Sequence, residues 1–123
     1  MTATSTTPPD APPRPASQQI ADHVTAWPGV TSGLGERGEL GFRVGRREIG
    51  HLHGDRVAHF GFPKEVGAAL RAAGRVGPHP VAPDKPAWGA RALRDQADVD
   101  DAIALMRINY DRVVAKHGVP DAG

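Results

Sequence analysis

Three histidines within nine positions are the residues of this sequence best suited to chemistry. The segment GHLHGDRVAHFGFP, residues 50–63, contains His51, His53 and His59. Neutral imidazole binds transition metals, and its pKa near neutrality also suits a general base. The 123-residue chain has no cysteine, which excludes thiolate nucleophiles, thiolate–metal sites and disulfides. Whether the three rings can act together depends on the elements that carry them.

The histidines lie in a region that predicts two successive β-hairpins. Alternating apolar residues indicate three strands, ELGFRV, REIGHLH and RVAHF. Gly45-Arg46 and Gly54-Asp55 are predicted two-residue turns, because glycine accepts the positive φ that such turns require. Turns of this length fix the register, and they pair His51 with Leu40 on one side and with Ala58 on the other.

This register divides the three histidines between the two faces of the sheet. His51 and His53 are predicted on the apolar face that the helices cover, and His59 on the opposite face. The three rings then cannot share one metal, although a β-bulge near Gly50 would reverse the faces. GRREIGHLH resembles the start of the cupin metal motif, but the glutamate that should follow is absent. We therefore expect no metal site and no cofactor, and a structural role for His51 and His53 stays open.

Helices are predicted on either side of the hairpins, with one further strand between them. Apolar residues at helical spacing begin at Ile20 and stop at Pro28-Gly29, and a second helix runs from Pro63 to about Gly74. AWGARAL is the fourth strand, after the proline-rich connection GPHPVAPDKP. Asp98 is the predicted cap of a last helix. Its apolar positions are Val99, Ile103, Met106, Tyr110 and Val113.

These elements predict a single two-layer α+β domain, with about four antiparallel strands covered on one face by about three helices. A chain of this length has room for one modest core. We place the domain at residues 17–118, before a flexible C-terminus at 119–123. Residues 1–16 have five prolines and one large apolar side chain, which predicts a disordered tail. Such a tail could also be a ligand for a proline-recognising domain.

The charge balance bears on partners and location. Fifteen basic and 14 acidic residues give a formal charge of +1, so the chain as a whole does not attract nucleic acid or an anionic membrane. No apolar run approaches the roughly 20 residues of a membrane span, and the N-terminus lacks the pattern of a signal peptide. We expect a cytoplasmic protein with neither nucleic acid nor a membrane as partner. The oligomeric state stays open.

Four segments, taken in order, carry a resemblance to a known family. They are GHLHGDRVAHFGFP, GRVGPHPVAP, AWGARAL and DVDDAIALMRINYDR, within residues 18–113. Together they resemble the small actinobacterial proteins of the luciferase family, a domain similar to part of the fungal luciferases. The fungal enzymes oxidise a hydroxylated pyrone with dioxygen and need neither metal nor flavin. They are also about twice as long as this sequence, so we expect no second half that would close a pocket.

The resemblance implies a small pocket that binds an aromatic or pyrone-like molecule. Matched by motif, the candidate catalytic residues are His51 and His53 in HLHGD and His79 in GPHP, as base or oxyanion donor. Trp88 in AWGA and Phe60 are the candidate ligand contacts. The resemblance further implies cofactor-independent oxygenase activity. For Trp88 the alternative to ligand binding is that it packs in the core, as aromatic residues on strands usually do.

A non-catalytic binding module is the alternative function. The order of helix, hairpins and helices also resembles the MmcQ/YjbR proteins, small domains suggested to bind DNA. Arginines near the two hairpin turns and further along the chain are of the type that contacts phosphates. They are Arg43, Arg46, Arg47, Arg56, Arg71, Arg75, Arg91 and Arg94. Acidic residues among them argue against nucleic acid, and an edge strand AWGARAL would suit a protein partner.

Overall fold

Residues 12–120 are described by the computed structural model, and they form three helices and six strands. The predicted tail and C-terminal end fall largely outside this range. The helices are α1 (Ala16–Val24), α2 (Lys64–Ala72) and α3 (Gln96–His117). The strands are β1 (Val30–Leu34), β2 (Leu40–Val44), β3 (Arg47–His53), β4 (Val57–Gly61), β5 (Gly77–Pro78) and β6 (Trp88–Ala92). The α+β class is confirmed.

All six strands form one antiparallel sheet in the order β1-β2-β3-β4-β6-β5. The four predicted strands are present at the centre of this order. The two additional strands, β1 and β5, escaped prediction because neither has an alternating apolar pattern. β1 is the mostly exposed segment VTSGL, and β5 is only two residues long.

The helices cover one face of the sheet, which we call the inner face. α1 and α3 pack against each other, and α3 lies over β3, while α2 contacts β6. Side chains with no exposed surface at this interface include Ile20, Phe42, Ile49 and Met106. Tyr110 of α3 is buried as well, and its hydroxyl donates a 2.6 Å hydrogen bond to the carbonyl oxygen of Pro28. Within residues 12–120, no helix combines the length and apolar character needed to cross a membrane.

The first turn of α3 differs from the prediction. Asp95, not Asp98, is the N-cap, and its carboxylate accepts a 2.8 Å hydrogen bond from the Asp98 backbone N–H. Asp98 is buried in the first turn, where it accepts hydrogen bonds from Arg91 and Arg94. An N-cap aspartate bonds the N–H three residues later, and the residue that does so here is Asp95, for which the sequence analysis predicted no role.

The predicted strand register is correct at its start and wrong beyond it. Arg43 pairs with Glu48 as expected, but Phe42 pairs with Gly50, because a β-bulge adds one residue to β3. The second hairpin has a three-residue turn, so His51 pairs with His59 and not with Ala58. The bulge and the longer turn each shift the strand pairing by one position.

The bulge is specified by α3, which packs directly beneath it. Ile49 and Gly50 are consecutive and both are buried on the inner face. A Cβ atom at Gly50 would lie 2.5 Å from Met106 Sδ, so the chain can approach α3 this closely only with glycine. Asn109 Nδ2 donates to the Ile49 carbonyl oxygen at 3.1 Å and to that of Gly61 at 2.9 Å. These contacts satisfy a carbonyl where the strand ladder is interrupted.

Because two consecutive residues face inward, the strand positions after the bulge change faces. Leu52 enters the core, while His51 and His53 turn to the uncovered side of the sheet, which we call the outer face. Their predicted position on the apolar face is therefore wrong. His59 is on the outer face as predicted, and all three rings are now neighbours.

Candidate functional site: a histidine pocket on the outer face

Four imidazole rings meet on the outer face, and we call His51, His53, His59 and His79 the histidine cluster. The ring centroids of His51 and His53 are 5.0 Å apart, and His59 lies 5.3 Å and 4.6 Å from them. The ring of His79 lies 4.2 Å from that of His59. The three predicted catalytic histidines are thus brought together, with a fourth ring between them.

Four strands contribute to this arrangement. His51 and His53 are two positions apart on β3, and His59 is the cross-strand partner of His51 on β4. His79 follows β5, which is separated from β4 by β6. The β6 residue between them is Ala90, which pairs with both His59 and Gly77. Its methyl side chain leaves space for the His79 ring to reach His59.

The histidine cluster forms the floor of an open pocket of about 690 Å³. One wall is apolar and includes Trp88, which is 47% exposed and has its ring 5.3 Å from that of His79, and the exposed Val81. The opposite side is charged, with Arg43 and Glu48 among its residues. The pocket therefore offers a planar surface beside polar groups.

Glu48 orients the ring of His51. Its Oε2 atom lies 3.0 Å from His51 Nδ1, and the bulge is what places these two residues, three apart in sequence, on one face. A carboxylate only accepts hydrogen bonds, so Nδ1 carries a proton, and in the neutral ring Nε2 keeps a free lone pair. The hydrogen bond from His51 lowers the pKa of Glu48, with help from the charges of His51 and Arg43, although burial opposes the shift.

His79 has the opposite tautomer in its neutral form. The backbone N–H of Val81 donates a 3.1 Å hydrogen bond to His79 Nδ1, so Nε2 carries the proton. The ring is only 5% exposed, and burial lowers its pKa, followed by the charges of His51 and His53. His79 is therefore suited to donate a hydrogen bond, whereas His51 is suited to accept a proton.

His59 is the functional candidate that the sequence analysis placed apart from the others. It is 7% exposed, and burial lowers its pKa to about 4, followed by the neighbouring histidines His79, His53 and His51. It is neutral at physiological pH. The available signal was Gly50, since a glycine inside a strand often marks a bulge.

One ligand nitrogen from each of His51, His53 and His59 can be chosen so that all three lie within 4.8 Å of one another. The inference that these rings cannot share a metal rested on the two-residue turns, and it is wrong for the observed register. Three imidazoles without cysteine form a ligand set for zinc, copper, nickel or iron rather than for magnesium or calcium.

The site falls inside a recognised sequence family. The sequence profile of the luciferase domain matches residues 46–109, just over half of the chain. The chain belongs to the luciferase domain family. The matched range begins in the turn before β3 and ends within α3, so it includes the bulge, Glu48 and all four histidines of the cluster. No curated protein and no solved structure matches the chain.

The two predicted ligand contacts of the luciferase domain lie in different places. Trp88 is part of the pocket wall and not of the core. Phe60 is 2% exposed on the inner face, where its ring stacks 5.4 Å from that of Phe62. Sequence reasoning put Phe60 beside His51 because both were assigned to one face, and the bulge separates them.

Several arginines of the luciferase domain bind groups of the same chain. Arg75 and Arg91 form ion pairs with Asp101, and Arg91 also pairs with Asp98. Arg71 donates to the backbone carbonyls of Pro83 and Lys85, in the connection that follows His79, and to that of Trp88 at the start of β6. These arginines hold α3, β6 and the pocket wall together, so their side chains already have structural partners.

Proposed function

We propose that this luciferase domain binds a small planar molecule, aromatic or pyrone-like with an acidic hydroxyl group, in the pocket above the histidine cluster. The observation that carries the proposal is the joint presence of four imidazoles and the half-exposed Trp88 in a single pocket of about 690 Å³. Pockets for small ligands typically have volumes of about 300–1,000 Å³, with apolar walls and a few convergent polar groups.

The apolar wall explains why the ligand would be planar. Trp88 and Val81 expose large apolar surfaces to solvent, and Trp88 meets His79 edge to face. A flat ring that packs against Trp88 removes this surface from water and gains aromatic contacts. In the absence of a ligand, such exposure has no benefit for folding.

The tautomers explain why the ligand would carry an acidic hydroxyl. Nε2 of His51 accepts the hydroxyl proton, and Glu48 stabilises the imidazolium that forms. Nε2–H of His79 then donates a hydrogen bond to the resulting oxyanion. A proton acceptor and a hydrogen-bond donor are thus both available among the side chains of the pocket.

The reaction that the family's name suggests is oxidation of the bound molecule by dioxygen. The contribution of these residues would be the proton-transfer step, because an aromatic anion is oxidised more readily than the neutral molecule. The domain could bind the molecule without oxidising it, so the two proposals are tested separately.

A thermal-shift screen tests the binding proposal. Wild-type protein in a chelator-containing buffer is heated with hydroxypyrones, phenols and their methyl ethers. We expect a saturable rise in Tm with the hydroxyl compounds and a smaller rise with the ethers. His79→Ala and Trp88→Ala should lose most of the rise, whereas His23→Ala on α1, away from the pocket, should keep it.

Two results would contradict the binding proposal. One is the absence of any shift across the screen, and the other is an equal shift in His79→Ala and wild type. For any compound that binds, oxygen consumption is then measured with wild type and with His51→Ala. Consumption that depends on His51 supports the oxidation, and the lack of consumption leaves a binding domain.

A further inference from the structure

We propose that His51, His53 and His59 bind one divalent transition-metal ion at the floor of the pocket, with zinc as the best-fitting class. The inference goes beyond the proposed function, because it concerns the protein without any organic ligand, in which Nε2 of His51 has no hydroxyl proton to accept and is available to a metal. It rests on the positions of the three imidazoles, on the contact between the Glu48 carboxylate and His51, and on the surroundings of the fourth coordination position.

The backbone places three imidazoles at one point. His51 and His53 project from the same face of β3, and His59 projects beside them from β4. Their ligand nitrogens lie within 4.8 Å of one another. In a tetrahedral site with Zn–N bonds of about 2.0–2.1 Å, these atoms lie about 3.4 Å apart. Small rotations of the side chains close this difference, and the strands themselves need not move.

Glu48 supplies the second observation. Metal-binding histidines generally donate their other ring N–H to a carboxylate or carbonyl, which fixes the tautomer and leaves the ligating nitrogen free. The 3.0 Å contact between Glu48 Oε2 and His51 Nδ1 provides this arrangement and directs Nε2 of His51 to be the ligand.

The site would have an open fourth position towards the pocket. Three histidines are the protein ligands of one type of catalytic zinc site, in which water occupies the remaining position. His79 is in contact with His59, but its Nδ1 already accepts the Val81 N–H. Its Nε2–H would therefore donate to a metal-bound oxygen instead of ligating the metal.

The choice of metal class follows from the donor atoms. An all-imidazole set favours zinc, cobalt, nickel or copper, whereas magnesium and calcium prefer oxygen ligands. We therefore expect zinc to bind in the presence of millimolar magnesium and calcium.

Cobalt(II) and zinc(II) are the probes for the test. The full chain, without an added histidine tag, is freed of metal with a chelator and titrated by calorimetry and visible absorption. We expect one ion per chain, visible bands of four- or five-coordinate cobalt, and displacement of cobalt by zinc. Glu48→Gln should weaken zinc binding about 10–100-fold. His53→Ala should weaken it further, and circular dichroism checks that the variant is folded.

One variant serves as the matched control. His23→Ala removes an exposed histidine of α1, which lies outside the histidine cluster. It should bind one metal ion with nearly wild-type affinity. The proposal is overturned if wild type binds no stoichiometric cobalt, or if His53→Ala and His51→Ala bind as well as wild type. It is also overturned if His23→Ala is the variant that loses the ion.

The metal titration is independent of the ligand screen. The screen is run with chelator present, and the titration is run without any organic compound. A protein that binds cobalt but no aromatic molecule supports the metal site alone, and the reverse result removes the metal site while leaving the pocket proposal intact.

Discussion

The two faces of the sheet are made by the same strands but differ in composition and in what covers them. The inner face is apolar, covered by helices and fully packed around residues such as Phe42 and Leu52. The outer face is open and carries the histidine cluster, Glu48 and Trp88. Since alternate residues of a strand face opposite sides, the core and the proposed site use different side chains. We therefore expect substitutions on the two faces to have separable effects.

The largest difference should come from one aromatic residue on each face. Phe42 has no exposed surface, so Phe42→Ala should lower the free energy of unfolding by about 3–5 kcal/mol. Trp88 is 47% exposed, and Trp88→Ala should cost less than about 1 kcal/mol. Urea denaturation of both variants and of wild type measures these losses in unfolding free energy. Similar losses in the two would mean that the outer face also supports the fold.

Removal of the buried charge of Asp98, in the first turn of α3, should have the next largest effect on stability. Asp98 accepts hydrogen bonds from Arg91 and Arg94, and Asp98→Asn should cost about 2–4 kcal/mol because Arg91 loses a buried partner. Burial alone would raise the pKa of Asp98, but the hydrogen bonds from Arg94 and Arg91 outweigh it, and the pKa is lowered.

The sign of this shift predicts a pH dependence. A carboxyl group with a lowered pKa in the folded state stabilises the protein above its unfolded pKa of about 3.9, and this contribution is lost as the pH falls towards the folded pKa. The difference in unfolding free energy between wild type and Asp98→Asn should thus be constant near neutrality and shrink below about pH 4. A difference that stays constant to about pH 2 would show that Asp98 does not act through its charge.

Gly50 is the position at which the two faces depend on each other. Gly50→Ala directs a methyl group at Met106, and overpacking of this kind costs about 1–3 kcal/mol. Gly61→Ala is the control, because nothing lies within 4 Å of its added Cβ, and it should change stability by less than about 0.5 kcal/mol. Denaturation midpoints compare the two. An equal effect of both substitutions would argue against close packing of Gly50 on α3.

Sequence patterns predicted the parts of this molecule that depend on near neighbours. The apolar residues from Val99 to Tyr110 indicated α3, and the alternating strands indicated the hairpins. The histidine cluster depended on the bulge, whose determinants, Met106 and Asn109, lie more than fifty residues further along the chain. The length of a turn gives no information about those distant contacts, so a register inferred from turn length alone misses the bulge.

The same limit explains the mixed result for the candidate site residues. His51, His53 and His79 do lie together, although the predicted face of two of them was wrong. His59 was set apart and Phe60 was placed with the histidines, because a shift of one residue exchanges the faces of neighbouring positions. Residue type therefore predicted which side chains lie together here more reliably than the inferred register did.

The smallest effect on stability should come from Glu48, and it isolates the chemistry of the outer face. Its side chain is 42% exposed, so Glu48→Ala should change the free energy of unfolding by less than about 0.5 kcal/mol. The His51 ring, however, loses the acceptor that fixes its proton on Nδ1. Nitrogen-15 spectra of the imidazoles in metal-free protein should show His51 shifting towards the Nε2–H tautomer, while His79 keeps its proton on Nε2 because Val81 still donates to Nδ1. An unchanged His51 spectrum would mean that Glu48 does not orient the ring, and the outer face would then lose the feature that most distinguishes it from a merely polar surface.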